Sequence, residues 1–306
     1  MGVSILLIII SALLFPGLVG WMKSKFVGRK GPRILQPLFD ILKLLKKGNI
    51  YSSTTGILFQ IAPVVYFTTT LLAALFIPIG NYQAILSFEG DFVVFAYLFG
   101  LGRFLMIVAA MDTGSPFEGM GANREAFYAL LVEPAFFIIF GSIALLSGHN
   151  SFYEIFINLH TSSALSFFVA LLIIYILFWV SMVENSRLPV DDPKTHLELT
   201  MVHEVMVLDH SGFDMALIHL AGGLKFAIYG SLMFNFVLPI QNNFLVQLLL
   251  FPVIMVGYAL TVAVLETFRA RNKMGKNAQW IITLSALAIV VFLSFLIITQ
   301  HLNFGL

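Results

Sequence analysis

Eight stretches of this chain, each about 20 residues long, are almost purely apolar. A helix rises 1.5 Å per residue, so each can cross a hydrocarbon core of roughly 30 Å. The apolar runs fall near 3–22, 57–79, 92–111, 126–147, 164–184, 213–237, 243–265 and 278–299. Only 11% of the residues are charged, where a soluble domain carries about a quarter. An ordinary soluble fold is thereby excluded, and the sequence predicts an all-α membrane protein. The first run has no basic segment ahead of it and charge instead of small residues behind it, so it reads as a retained helix and not a signal peptide.

The basic residues partition between alternate loops. Eight follow the first span, from Lys23 to Lys47; Arg124 follows the third, Arg187 and Lys194 the fifth, and Arg269, Arg271, Lys273 and Lys276 the seventh. Together these are 15 of the 17 basic residues, and the opposite loops have none. The positive-inside rule then places the basic loops in the cytoplasm and both termini outside. The longest connections are about 28 to 34 residues, too short for a soluble domain with its own core. Residues 1–306 therefore read as a single polytopic membrane domain, with chemistry in solution left to other chains.

Within the first basic loop, Ile34, Leu35, Leu38, Ile41, Leu42 and Leu45 recur at helical spacing against Asp40, Lys43, Lys46 and Lys47. That pattern predicts an amphipathic helix on the cytoplasmic surface, serving as an interfacial anchor or as a docking element.

Charges inside spans are costly and mark places where something must be paired or hydrated. Arg103, Glu133 and Lys225 lie within the third, fourth and sixth spans, and are expected to face the bundle interior. They fit either a structural ion pair or a proton and hydration path. Residues 184–214 are dense in ionisable groups, including Glu184, Arg187, Asp191, Asp192, Glu198, His203, Glu204, Asp209 and His210. Thr195-His196-Leu197-Glu198 has capping-box spacing, predicting a helix from there to about Leu208. His203-Glu204 lacks the second histidine of a zincin, and His203 and His210 are seven apart on one segment, unsuited to bis-histidine haem. With no cysteine, cysteine-ligated iron–sulfur clusters and thiolate zinc sites must sit on partners. Membrane burial and a net charge of +1 give no case for nucleic acid.

Beyond composition, several motifs occur in order: Gly31-Pro32-Arg33-Ile34-Leu35-Gln36-Pro37-Leu38-Phe39-Asp40, Asp112-Thr113-Gly114-Ser115-Pro116-Phe117, Arg124-Glu125-Ala126, Val132-Glu133-Pro134, and Glu184-Asn185-Ser186-Arg187-Leu188-Pro189-Val190-Asp191-Asp192-Pro193 running on to His196-Leu197-Glu198-Leu199-Thr200-Met201. In these the chain resembles the complex I subunit 1 family. Its wording at 189–201 and at Leu208-Asp209-His210-Ser211-Gly212 is most similar to the membrane subunit of hydrogenase-4 and formate hydrogenlyase type complexes, the group 4 energy-converting [NiFe] hydrogenases.

The resemblance implies a coupling subunit of an oxidoreductase complex in a prokaryotic inner membrane. It would join a cytoplasmic arm of hydrogenase large and small iron–sulfur subunits to antiporter-like membrane subunits that move protons or sodium. The [NiFe] centre and iron–sulfur clusters would belong to that arm, with no cofactor, catalytic residue or metal site in this chain. It implies a proton path through Glu133, Glu184, Asp191, Asp192, Glu198 and Glu204. Arg103, Arg124, Arg187, Lys225, Arg269 and Arg271 would be charge partners or docking contacts. Two motifs depart from the quinone-reducing members, at Lys23-Ser24-Lys25 and at Pro189-Val190-Asp191-Asp192. Arg33, Asp40 and Asp209 would then be the remnant of a quinone cavity. The alternatives are a quinone-reducing or nickel-free relative, and a stand-alone ion transporter.

Overall fold

The computed structural model describes residues 2–80, 82–158, 164–191, 201–237 and 244–298. Among the described residues the chain is helical with a single isolated bridge, Ile79 to Tyr82. In chain order the helices are α1 (Gly2–Phe26), α2 (Gln36–Leu44), α3 (Ile57–Ala74), α4 (Asp91–Asp112), α5 (Pro116–Ser147), α6 (Phe152–Asn158), α7 (Ala164–Glu184), α8 (His203–Met206), α9 (Gly212–Val237), α10 (Phe244–Phe268) and α11 (Met274–Ile298). Seven of them, α1, α3, α4, α5, α9, α10 and α11, are long and apolar enough to cross a membrane. With 21 residues, mostly apolar, α7 supplies the eighth. This is a multi-pass membrane protein.

Helix α9 is the hub. It packs against α1, α3, α7 and α10, and its hydrophobic window is 83% buried, against 28–50% for the other candidate spans. A helix screened from lipid need not be uniformly apolar, so α9 accommodates Asp214, Lys225 and Asn235. Close approach to α1 depends on Gly223: a Cβ there would lie 2.6 Å from the Ala12 carbonyl oxygen. Small residues let helices approach where lipid offers no hydrophobic drive.

At the end away from the basic loops the core is aromatic. Phe152 meets Phe95 and Phe140 edge-on at 5.4 and 5.1 Å, and Phe156 meets Phe236 at 5.0 Å. Asp91, fully buried at the start of α4, accepts hydrogen bonds from the Phe152 amide and the Ser151 hydroxyl, each at 2.8 Å. The short helix α6 is thus plugged into a loop that its sequence marks only as a connection.

The amphipathic α2 is present, with Ile41 its buried residue and Phe39 and Leu42 exposed. Three expectations need correction. Helix α5 begins at Pro116 instead of near 126, because Pro116 occupies the first turn, where its missing N–H is no loss. At 32 residues it is about 48 Å long and projects beyond a bilayer core. Arg124 is therefore on this helix, not in a loop. Of the helix expected from Thr195 to about Leu208, the described residues, which begin at Met201, contain α8 only, four residues long. Met201 and Val202 are not helical, since Asp191 Oδ2 accepts the amides of Val202 and His203 at 3.0 and 3.1 Å and holds the chain at that point. Thr195 and the rest of the capping box lie outside the described residues.

Replacing Gly223 with valine should force α1 from α9 and lower the melting temperature of the purified chain. Overpacking of this kind costs about 1–3 kcal/mol. An unchanged melting temperature would contradict the close approach.

Candidate functional site, a buried charge cluster

Helix α7 ends early. Its last residue, Glu184, sits beside Arg103, which lies nine residues, or roughly 14 Å, inside α4. The chain leaves α7 through a Schellman-type turn, with the Arg187 amide bonded to the Met182 carbonyl and the Ser186 amide to that of Val183. Ser186 takes the left-handed position there (φ 48°). Residues 186, 188, 190 and 191 are all buried. Irregular backbone at membrane depth survives only where protein satisfies it. Here Asn272 donates to the Pro189 carbonyl and Asn277 Nδ2 to that of Val190, both at 3.0 Å.

Around this turn lies the cluster. Arg103 pairs through Nη1 with Glu133 at 3.1 Å, through Nη2 with Glu184, and at 3.6 Å through Nε with Glu125, too long for a hydrogen bond. Lys225 reaches Glu184 at 3.4 Å, and its ammonium rests 5.1 Å from the Tyr66 ring centre and 5.3 Å from that of Phe99. Two cations thus face three carboxylates contributed by α5 and α7. An arginine stays charged at all accessible pH, so the cluster is neutral when its carboxylates share one proton.

Glu133 differs from expectation. Its side chain is 46% exposed, on the outer surface of the bundle, where only its pairing with Arg103 points inward. A cleft of about 70 Å³ between α4 and α5, lined by Tyr97, Phe137, Glu133 and Arg103, runs from that surface to Glu184 and Tyr229.

A second ionic group lies toward the basic end. Glu266 receives Lys23 Nζ at 2.7 Å and Arg187 Nη1 at 2.8 Å, clamping α1, the re-entrant turn and α10. A third is Arg271 with Asp191, at 3.2 Å. These groups share a cavity of about 490 Å³ between α1, α2 and α9, into which Lys23, Glu184, Arg187, Asp191, Glu204, Lys225 and Glu266 all project, together with His203. Burial, helped by the Lys225 charge, pushes His203 down to about 4, so its imidazole is neutral at pH 7.

Of the residues singled out by sequence, Arg103, Glu133, Glu184 and Lys225 come together directly, and Asp191, Arg187 and Glu204 line the connected cavity. Asp192 and Glu198 lie outside the described residues. Arg124 holds the Met201 carbonyl at 2.9 Å and pairs with no carboxylate among the described residues, so it is a backbone clamp. The Arg269 guanidinium lies over the Trp179 and Trp280 rings, 5.1 and 5.8 Å from their centroids. Asp40 lines the cavity, but Arg33 and Asp209 are exposed away from it, so these three form no common pocket. Sequence reasoning missed Glu125, the fully buried Glu118, which accepts the Asp209 amide at 2.9 Å, and Glu266. The Ser115-Pro116 helix start would have put the first two on α5, and Glu266 follows its span by one residue.

Elsewhere, His210 stacks flat on Phe59 (4.0 Å, 5°), and neither ring nitrogen has a partner among the described residues. Burial holds this imidazole down to about 4. An unfolded histidine titrates near 6.5, so between about pH 6.5 and 4 the unfolded chain binds a proton that the native chain refuses. Stability should fall as pH falls through that window. His210→Phe should shrink the fall and be neutral or stabilising at pH 7, since two orphaned polar atoms disappear. A melting curve with the same acid dependence in the variant would contradict this. Arg103→Met, by contrast, strands buried carboxylates and should cost about 3–5 kcal/mol, read as lost accumulation or a lowered melting temperature.

Residues 3–293 match the family described as NADH dehydrogenase. Among curated relatives, hydrogenase-4 component C of Escherichia coli is 29% identical over 74% of this chain and 70% of its own length. Formate hydrogenlyase subunit 4 of the same organism is 35% identical over 40% of this chain and 39% of its own, and NADH-ubiquinone oxidoreductase chain 1 of Chondrus crispus is 30% identical over 63% and 60%. A chain from the structure of the membrane-bound sulfane sulfur reductase, an archaeal respiratory membrane complex, shares the fold with a TM-score of 0.79 at 23% identity, covering 95% of this chain and 98% of that one. The chain belongs to the NADH dehydrogenase family of membrane subunits, that of complex I subunit 1.

Proposed function

We propose that this chain is the coupling subunit of a membrane-bound hydrogenase-type complex, linking redox change in a cytoplasmic arm to movement of protons or sodium in neighbouring membrane subunits. Its relatives hydrogenase-4 component C and formate hydrogenlyase subunit 4 support that branch. In this reading the basic loops face the cytoplasm of a prokaryotic cell and both termini face out, in keeping with the partition of lysine and arginine. The arm would comprise large and small subunits carrying the [NiFe] centre and iron–sulfur clusters, docked over the loops that bear Asp191, His203 and Glu204.

The observation that carries the reading is the two-cation, three-carboxylate cluster around Arg103, placed between a polar cavity at the basic end and a half-exposed glutamate on the bundle flank. A charge change in the arm above the cavity would bias which carboxylate holds the shared proton. Glu133 would then pass that bias sideways. A carboxylate exposed to hydrocarbon is expensive, which supports a second membrane subunit seated over Glu133 and speaks against a stand-alone transporter. The dispersal of Arg33, Asp40 and Asp209 gives no support to quinone reduction.

The path would run through Glu204, Asp191, Glu184 and Glu133, with Asp192 and Glu198 ahead of them. Glu133→Gln and Glu198→Gln should leave the complex assembled while slowing its turnover or uncoupling it from ion movement, measured in proteoliposomes. Wild-type turnover and pumping in both variants would overturn the path. Affinity purification in mild detergent should bring down nickel, iron and hydrogen-evolving activity; iron with quinone reduction and no nickel would overturn the hydrogenase assignment.

A further inference from the structure

At the basic end, where α10 stops and α11 begins, the chain reads Phe268-Arg269-Ala270-Arg271-Asn272-Lys273-Met274-Gly275-Lys276. Arg271 is taken up by Asp191. Arg269 has no such counterion: among the described residues no carboxylate or carbonyl accepts from its guanidinium, which instead lies 5.1 Å from the Trp179 ring centre and 5.8 Å from that of Trp280. The two indoles meet edge-on at 4.9 Å, one on α7 and one on α11, and form a fixed aromatic seat for the cation. The Trp179 Nε1 donor is buried and also has no acceptor among the described residues. Lys273 and Lys276 are exposed a turn away.

We propose that this corner of α7, α10 and α11 binds the phosphodiester headgroup of an anionic phospholipid. The donors present suit that group: a guanidinium held over two indole rings, the unpaired Trp179 N–H in the same seat, and Lys273 and Lys276 exposed on the segment that follows. The two rings hold the guanidinium at no cost to its charge, because aromatic faces satisfy a cation without neutralising it. The position is that of an interface. Arg269 follows the last residue of α10, and Tyr175, one turn before Trp179 with its ring 6.1 Å from that indole, is 48% exposed, offering apolar surface to acyl chains below the headgroup. A soluble phosphate would have no use for that surface, and an acidic protein segment would leave it uncovered. This site is separate from the Arg103 cluster and does not depend on what the arm carries.

Trp179 and Trp280 are two of the three tryptophans in the chain, so the site reports on itself. In a Trp21→Phe background, the full chain is placed in phosphatidylcholine nanodiscs with increasing brominated phosphatidylglycerol, and separately with brominated phosphatidylcholine. Quenching should saturate at a markedly lower fraction of the anionic lipid than of the neutral one. One cation near a membrane surface is worth about a fivefold change in binding, so Arg269→Gln should reduce the preference by about fivefold or more. Where that variant folds poorly, Lys273→Gln/Lys276→Gln, outside the aromatic seat, should reduce it in the same direction. Equal quenching by the two lipids, or a preference unchanged in these variants, overturns the proposal. Relief of quenching by excess inorganic phosphate at constant ionic strength also overturns it, in favour of a soluble anion.

Discussion

A guanidinium keeps its charge at every accessible pH, so an arginine nine residues inside a membrane helix obliges its neighbours to answer it. Arg103 is answered from three directions, by Glu125 and Glu133 on α5 and Glu184 at the end of α7. Much of the basic half of the bundle follows. Helix α7 ends where it does because Glu184 must reach Arg103, and that early ending leaves a turn of irregular backbone in the protein interior. The turn is tolerable because α11 and its preceding loop bond its carbonyls, and because Arg187 and Asp191, arriving with it, find Glu266 and Arg271. Helix α9 adds Lys225 to the same carboxylate, at the price of ceasing to be a lipid-facing helix.

Buried ion pairs are weak evidence for stability, since desolvation offsets most of their attraction. The arrangement around Arg103 is better understood through its imbalance. Three carboxylates against two cations leave one negative charge unanswered, which a single proton on any of the three would neutralise. Their linkage through the cavity to neutral His203 and to Glu204 puts the cluster within electrostatic reach of whatever sits on the basic end. Glu133 extends it in the other direction, to the flank. A site open at one end to solution and at one side to the membrane plane suits coupling between chains more than catalysis within one.

How much of this was written in the sequence depends on the residue. Arg103, Glu133 and Lys225 announced themselves because charge in an apolar run must be answered. Lys225 pairs with Glu184 at the end of α7, whereas the pairing of Arg103 with Glu133 followed from that requirement. The outward turn of Glu133 did not, because depth along a helix says nothing about which face the residue takes. Glu125 was hidden by drawing α5 from hydropathy, which ignores a polar first turn; the proline at its start was the better guide. The buried course of 185–191 was unreadable, since its polar composition resembles a loop in water, and only the tertiary partners of Pro189 and Val190 distinguish it. Likewise α8 starts at His203 where Asp191, eleven residues upstream of Val202, accepts the amides of Val202 and His203, a contact no local pattern encodes.

The central claim is that the Arg103 cluster holds a proton whose position answers to the redox state of a partner. Infrared difference spectroscopy of the assembled complex, reduced minus oxidised, measures this directly through the carbonyl stretch of a protonated carboxyl. The account predicts a deuterium-sensitive carboxyl band that shifts on reduction and disappears when Glu125 or Glu184 is replaced by glutamine. A spectrum with no carboxyl change on reduction, or one identical in both variants, would contradict it.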